Sequence, residues 1–112
     1  MPGALEGIRV IEFANYVSGP YAGMLLADFG AEVIKIEVPG KGDPFRGWGR
    51  VDYSATFGSV NRNKKSIVLD LKSPEGLKAA RALIRGADVV IENFRTGTMD
   101  RLGLGYDEVS KD

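Results

Sequence analysis

Apolar residues in this chain come in short runs separated by polar and glycine-rich breaks. Ile8–Phe13 is brief and rich in branched apolar side chains, the pattern of a buried parallel strand. Gly19 and Pro20 then open a helix, because Pro is favoured in a first helical turn. Within Pro20–Phe29, Met24, Leu25 and Phe29 recur at three-to-four spacing, and Gly30 ends the run. Val33–Glu37 reads as a second strand. Two parallel strands need a crossover of this size, and such crossovers are right-handed in nearly all cases.

The pattern then lapses. Residues 1–7 read as a polar lead-in, with Leu5 as an edge contact. Residues 38–65 form a long connection, dense at first in Gly and Pro, in which Asp52–Val60 is a short, weak helix. Connections of this length are often functional. Arg46, Arg50, Arg62, Lys64 and Lys65 outnumber Asp43 and Asp52 there. That excess reads either as a solvated loop or as a lip that meets phosphate.

Regularity returns with a third strand, Ser66–Leu71. Ser73-Pro74-Glu75 is a helix start, with a cap, a Pro in the first turn and an acid near the positive helix end. That helix runs to about Arg85, with Leu77, Ala80, Leu83 and Ile84 on one face, and Gly86 ends it. Asp88–Glu92 is a fourth strand. After the loop Asn93–Gly97, a short helix covers Thr98–Leu102, and another begins at Tyr106 with Asp107 as its cap. Ending on a helix start suggests a truncated chain.

Alternation of this kind predicts an α/β fold, a Rossmann-like open parallel sheet with helices on both faces and strand order 3-2-1-4. Ligands of such sheets bind beyond the carboxyl ends of the strands, where the order reverses. Here that crevice lies between strands 1 and 4, with loops Ala14–Gly19 and Asn93–Gly97 facing each other. The N–H groups of Gly19–Ala22 would form an anion site at a helix N-terminus. Glu12, Glu37, Asp70 and Glu92 also end strands, either as site residues or as caps and loop anchors. Phe94 is a core residue or a ligand contact; Lys72 and Arg101 are surface charges or site cations.

Composition narrows the chemistry. With 112 residues, the chain makes one small domain. Fifteen basic residues balance fifteen acidic ones, which argues against a nucleic-acid partner. No basic amphipathic helix or long apolar run points to a membrane, and MPGALEG is not a secretory signal, so the expected location is cytoplasmic. Cysteine and histidine are both absent. That removes disulfides, thiolate nucleophiles, cysteine-held zinc and the usual general base, and no metal site is expected. A dinucleotide fingerprint G-x-G-x-x-G is missing, and Glu37 at the ribose position alone does not make an NAD site.

Four blocks, in order, resemble the class III (family III) CoA-transferases, the family of formyl-CoA transferase, carnitine CoA-transferase and the α-methylacyl-CoA racemases. They are GIRVIEF…SGPYAGMLLADFGAEVIKIE, GDPFRGWG, NRNKKSIVLDLKSPEG and ADVVIENFRTGTMDRLG. The resemblance implies that residues 1–112 are the N-terminal part of a Rossmann-like, CoA-binding large domain, in a protein whose full-length members form interlocked homodimers. It places Tyr16, Val17 and Ser18 along the nucleotide. Leu69 and Lys72 fall on the adenine side, Asn93 and Phe94 beside the pantetheine path, and Arg101 near a phosphate. Acyl-CoA and a carboxylic acid are the implied substrates. Some members have Arg directly after the strand-2 glutamate; this chain has Val38-Pro39, so that either Lys41 or Arg46 takes over that charge or the 3′-phosphate is held less tightly. The long link between strands 2 and 3, and Asn93 where racemases typically have Pro, favour the transferase branch over the racemase branch. The family's transferases work through a covalent aspartyl intermediate, and its racemases through an Asp/His pair. Both lie beyond residue 112, so no catalytic residue is expected within this chain. A non-catalytic nucleotide-binding or structural piece is the remaining alternative.

Overall fold

A computed structural model describes residues 3–48 and 54–111. Its elements are β1 (Arg9–Phe13), α1 (Ser18–Asp28), β2 (Glu32–Glu37), a 3-10 turn (Pro44–Gly47), α2 (Ala55–Ser59), β3 (Lys65–Val68), α3 (Pro74–Arg85), β4 (Val89–Glu92), α4 (Thr98–Arg101) and α5 (Tyr106–Val109). The strands form one sheet in the order β3-β2-β1-β4, with every pairing parallel. This is the predicted α/β architecture.

Strand β1 is central, and Val10, Ile11, Glu12 and Phe13 are fully buried. Successive strand residues point to opposite faces. Ile11 and Phe13, with Ile36 of β2, pack against Ala80 and Ile84 of α3 and against Met99 and Leu104. Val10 and Val33 pack on the other face against Ala27 of α1 and Ala31. Each face of the sheet thus has its own helical cover. Leu5 joins the second cluster from the lead-in, and its N–H donates to the Phe29 carbonyl at 2.8 Å.

Helix α1 starts at Ser18, two residues before Pro20, so the proline sits in the first turn, where no intrahelical N–H is needed. Its buried side is Gly19, Pro20, Gly23, Met24 and Ala27. Leu25 and Phe29, expected on the same face as Met24, are exposed. Small residues, invisible to a count of large apolar ones, set the true inner stripe and let the helix lie close to the sheet. Helix α3 follows its signals: Ser73 Oγ accepts from the Gly76 N–H at 3.0 Å, Pro74 is the first residue, and Gly86 closes the helix.

Two further expectations need correction, and a third is met as far as the chain is described. β3 ends at Val68 rather than Leu71, because Asp70 turns the chain: its carbonyl accepts from the Ser73 N–H, and its carboxylate from the Lys72 N–H. The N-cap of α5 is Gly105, and Asp107 lies inside the first turn. Of the helix expected over 52–60, residues 52 and 53 lie outside the described residues. The remainder forms α2, capped by Ser54 Oγ, which accepts from the Phe57 N–H at 3.1 Å. Among the described residues, no helix is long and apolar enough to cross a membrane.

Candidate functional site

Beyond the carboxyl ends of β1 and β4, the two following loops meet. Asn93, the first residue after β4, clips them together. Its Oδ1 accepts from the Asn15 N–H at 2.9 Å, and its Nδ2 donates to the Asn15 carbonyl at 2.7 Å and to Ser18 Oγ at 3.3 Å. The amide thereby extends the strand pairing by one step. Gly19 permits the closeness, since a Cβ there would lie 2.2 Å from Ala14 Cβ. The result is an open cleft of about 590 Å³ lined by Asn15, Tyr16, Val17, Ser18, Asn93, Phe94 and Arg95.

Beneath the cleft the α1 face of the sheet changes character. Its lower part is apolar, with Val10 beside Val33; its upper part is ionic, with Glu12 beside Lys35 in the same register. Lys35 Nζ contacts Glu12 Oε2 at 2.8 Å, the Ala14 carbonyl at 2.8 Å and Asp43 Oδ2 at 2.9 Å. Lys64 Nζ contacts Glu12 Oε1 at 2.7 Å, the Pro20 carbonyl at 2.8 Å and Asn61 Oδ1 at 2.7 Å. Each ammonium thus has three oxygen neighbours, two of which accept hydrogen bonds from it. Glu12 Oε1 and Asp43 Oδ2 meet their lysines without well-directed hydrogen bonds, so ion pairing satisfies them. All four side chains are buried, and two cations balance two anions. Burial draws the Lys64 ammonium down to about 8, against the opposing pull of Glu12.

Glu37 anchors a second group at the end of β2. Arg46 forks onto both its oxygens at 2.7 and 2.8 Å, the Asp43 N–H donates to it at 2.9 Å, and the Ser66 hydroxyl makes a short hydrogen bond to it. Burial pushes this carboxyl up, but Arg46, Ser66 and the Asp43 N–H together outweigh burial and hold it at about 2. The Arg46 guanidinium also lies 4.0 Å from the Phe57 ring centroid. Tyr16 reaches the connection through edge contacts with Phe45 and Trp48, each with ring centroids 6.0 Å apart.

Five of the eight residues proposed from sequence line the cleft together: Tyr16, Val17, Ser18, Asn93 and Phe94. The other three lie outside its lining. Leu69 is partly buried at the edge of the α3-side core, and its N–H donates to the Glu37 carbonyl at 3.0 Å. Lys72 is exposed at the turn after β3, and Arg101 is exposed on α4, donating to Thr98 Oγ1 at 3.1 Å. Arg95 joins the cleft although sequence reasoning did not single it out; a cation in the β4 loop was the available signal.

The basic excess of the connection fits neither earlier reading in full. Arg46 and Lys64 peg the connection to strand carboxylates, and Arg62 and Lys65 form exposed pairs with Asp28 and Glu32 at 2.7 and 2.6 Å. Arg46 is therefore committed to Glu37 rather than free to replace a missing strand-2 arginine. Arg50 lies outside the described residues. The carboxylates of Asp70 and Glu92 bind the N–H groups of Lys72 and Phe94 in their own loops. At the start of α1, Pro20 has no N–H and the Tyr21 N–H closes on the Val17 carbonyl at 2.7 Å, so neither offers a free donor to the anion site expected there.

Comparison with known proteins agrees with this geometry. The chain is 50% identical over 111 residues to a succinyl-CoA–D-citramalate CoA-transferase of Chloroflexus aurantiacus, covering 96% of this chain and 28% of that protein. It is 46% identical to a succinyl-CoA:glutarate CoA-transferase of Mus musculus, covering 96% of this chain and 25% of that one. The crystal structure of a CAIB/BAIF family protein from Brucella suis superposes with a TM-score of 0.93 at 41% identity, over 99% of this chain and 31% of that one. The chain thus spans between a quarter and a third of the length of these relatives. A family model described as CoA-transferase family III matches residues 5–112, and with the sheet order and the four sequence blocks in agreement, the chain belongs to that family.

Proposed function

We propose that this chain is the N-terminal, CoA-binding part of an acyl-CoA:carboxylate CoA-transferase, with CoA lying along the strand ends and its pantetheine arm beside Asn93 and Phe94. One observation carries the reading: Tyr16 and Phe94, from loops 78 positions apart at their joining residues, line a single cleft where the strand order reverses. The named CoA-transferases among the relatives support it.

The overall reaction exchanges partners. An acyl thioester and a free carboxylate become a free carboxylate and a new acyl thioester, with no net change in protons or electrons. The enzyme's own carboxylate nucleophile belongs to the part of the protein after residue 112. Residues of this chain bind and orient. Phe94 and Tyr16 offer apolar surface to the arm, and Arg95 brings positive charge to the same cleft. Leu69, Lys72 and Arg101 flank the extended ligand farther out. From β4 to β3 is three strand spacings, roughly 14 Å, a distance that an elongated molecule such as CoA crosses.

Isothermal titration with CoA and with NAD tests this reading. CoA binding at millimolar affinity or tighter, with no NAD binding, supports it; NAD binding alone reverses it. Thermal stability unchanged at saturating CoA would favour a non-binding structural piece, since a ligand of the native state must raise stability. Deuterium wash-in at the α-carbon of a 2-methylacyl-CoA by the full-length enzyme would assign the racemase branch instead.

A further inference from the structure

Tyr16 has a φ of 63°, in the left-handed region. Among the described residues only Asn63 shares this among non-glycines, and asparagine tolerates it far better than a bulky aromatic residue does. A conformation of this kind is strained for a residue with a Cβ and persists only where its surroundings over-determine it.

The surroundings that do so lie under the cleft. Asp43 is fully buried and belongs to the connection after β2, not to either cleft loop. Its Oδ1 accepts from the Tyr16 N–H at 3.1 Å and from the Phe45 N–H at 2.9 Å. Its Oδ2 pairs with Lys35, whose ammonium also holds the Ala14 carbonyl. The carbonyl before Asn15 and the N–H after it are therefore both gripped by one buried Lys–Asp pair. Asn93 grips Asn15 itself from the other side.

We infer that Asp43 is a positioning residue for the cleft: it fixes Tyr16 in its left-handed conformation before any ligand arrives, so that binding need not order the loop. The inference rests on the reading that the cleft takes CoA. Asp43 itself is fully buried and lies outside the cleft lining.

Two measurements on the full-length protein test it. The first needs no variant. In the ligand-free protein the Tyr16 amide should exchange its hydrogen at the pace of the β1 amides. Exchange at the pace of an open loop overturns the inference, whether or not a variant folds. The second is a cycle of CoA affinities. Asp43→Asn keeps an oxygen acceptor but removes the charge that faces Lys35, and should weaken CoA binding about tenfold. In a Tyr16→Gly background, where glycine adopts the left-handed region freely, the same change should cost less than about threefold. Asn63→Gly, at the other left-handed position, should leave CoA affinity unchanged. Equal losses from Asp43→Asn in both backgrounds overturn the inference. CoA binding weakened by Phe94→Ala but not by Asp43→Asn overturns the positioning role alone. Absence of CoA binding to the unaltered protein overturns the functional reading, and with it the role of Asp43 toward that ligand.

Discussion

Asn93 pairs with the backbone of Asn15 through both ends of its amide, at 2.9 and 2.7 Å, and so holds together two loops that are distant in sequence. Asn93→Ala should remove this clip while leaving the Asn15 groups exposed to water. The stability loss is then small, about 1 kcal/mol, while CoA affinity falls about tenfold as the cleft loses definition. Calorimetric titration beside a denaturant unfolding curve separates the two effects. A large stability loss with unchanged affinity would assign Asn93 to the scaffold rather than the cleft.

Gly23 faces Glu12. A Cβ at this position would sit 2.1 Å from Glu12 Oε1, the oxygen paired with Lys64. Gly23→Ala gains about 1 kcal/mol of helix propensity. It also displaces one partner of a buried ion pair, a change that costs roughly 3–5 kcal/mol. The second effect wins, and the unfolding midpoint should fall steeply. Gly47→Ala, with nothing within 4 Å of the added carbon, is the control and should stay within about 0.5 kcal/mol. Equal tolerance at the two positions would contradict the packing described for α1.

Glu37 makes stability depend on acid. Its carboxyl titrates at about 2 in the folded chain against 4.5 ordinarily, and the side chain is 4% exposed. A folded value below the unfolded one gives stabilisation that is complete above the unfolded value. It is lost as pH falls from there through about 2. The size is on the order of 3 kcal/mol. Asp28 and Glu32 are lowered as well, so the test is a difference between proteins. Unfolding free energy measured from pH 6 to pH 2 should fall less steeply in Arg46→Gln than in the unaltered chain. Identical slopes would show that the Arg46 fork does not set the Glu37 carboxyl.

The sheet was legible because its signals are local. Branched apolar runs mark the strands, Ser73-Pro74 starts α3, and the alternation of strand and helix dictates the order. The inner stripe of α1 was not legible, because Gly19, Gly23 and Ala27 bury through smallness rather than hydrophobicity. The cleft was predictable from the reversal of strand order, which brings the loops of Tyr16 and Phe94 together whatever their side chains. The ionic floor was not. Glu12 and Lys35 fall on the same face only once β1 and β2 are in register, and Asp43 reaches them from a connection with no periodicity to read. Arg46 and Lys64 looked like free cations for the same reason: their carboxylate partners lie 9 and 52 positions away in sequence, at Glu37 and Glu12.

Amide chemical shifts recorded while CoA is added to the full-length protein give the most direct check on where the ligand sits. The backbone signals of Tyr16, Val17, Ser18, Asn93 and Phe94 should move together and saturate together, while those of Tyr106 and Val109, beside a separate surface hollow of about 440 Å³, stay in place. Movement confined to Tyr106 and Val109, or saturation of CoA binding without any shift at Tyr16 and Phe94, would contradict the account.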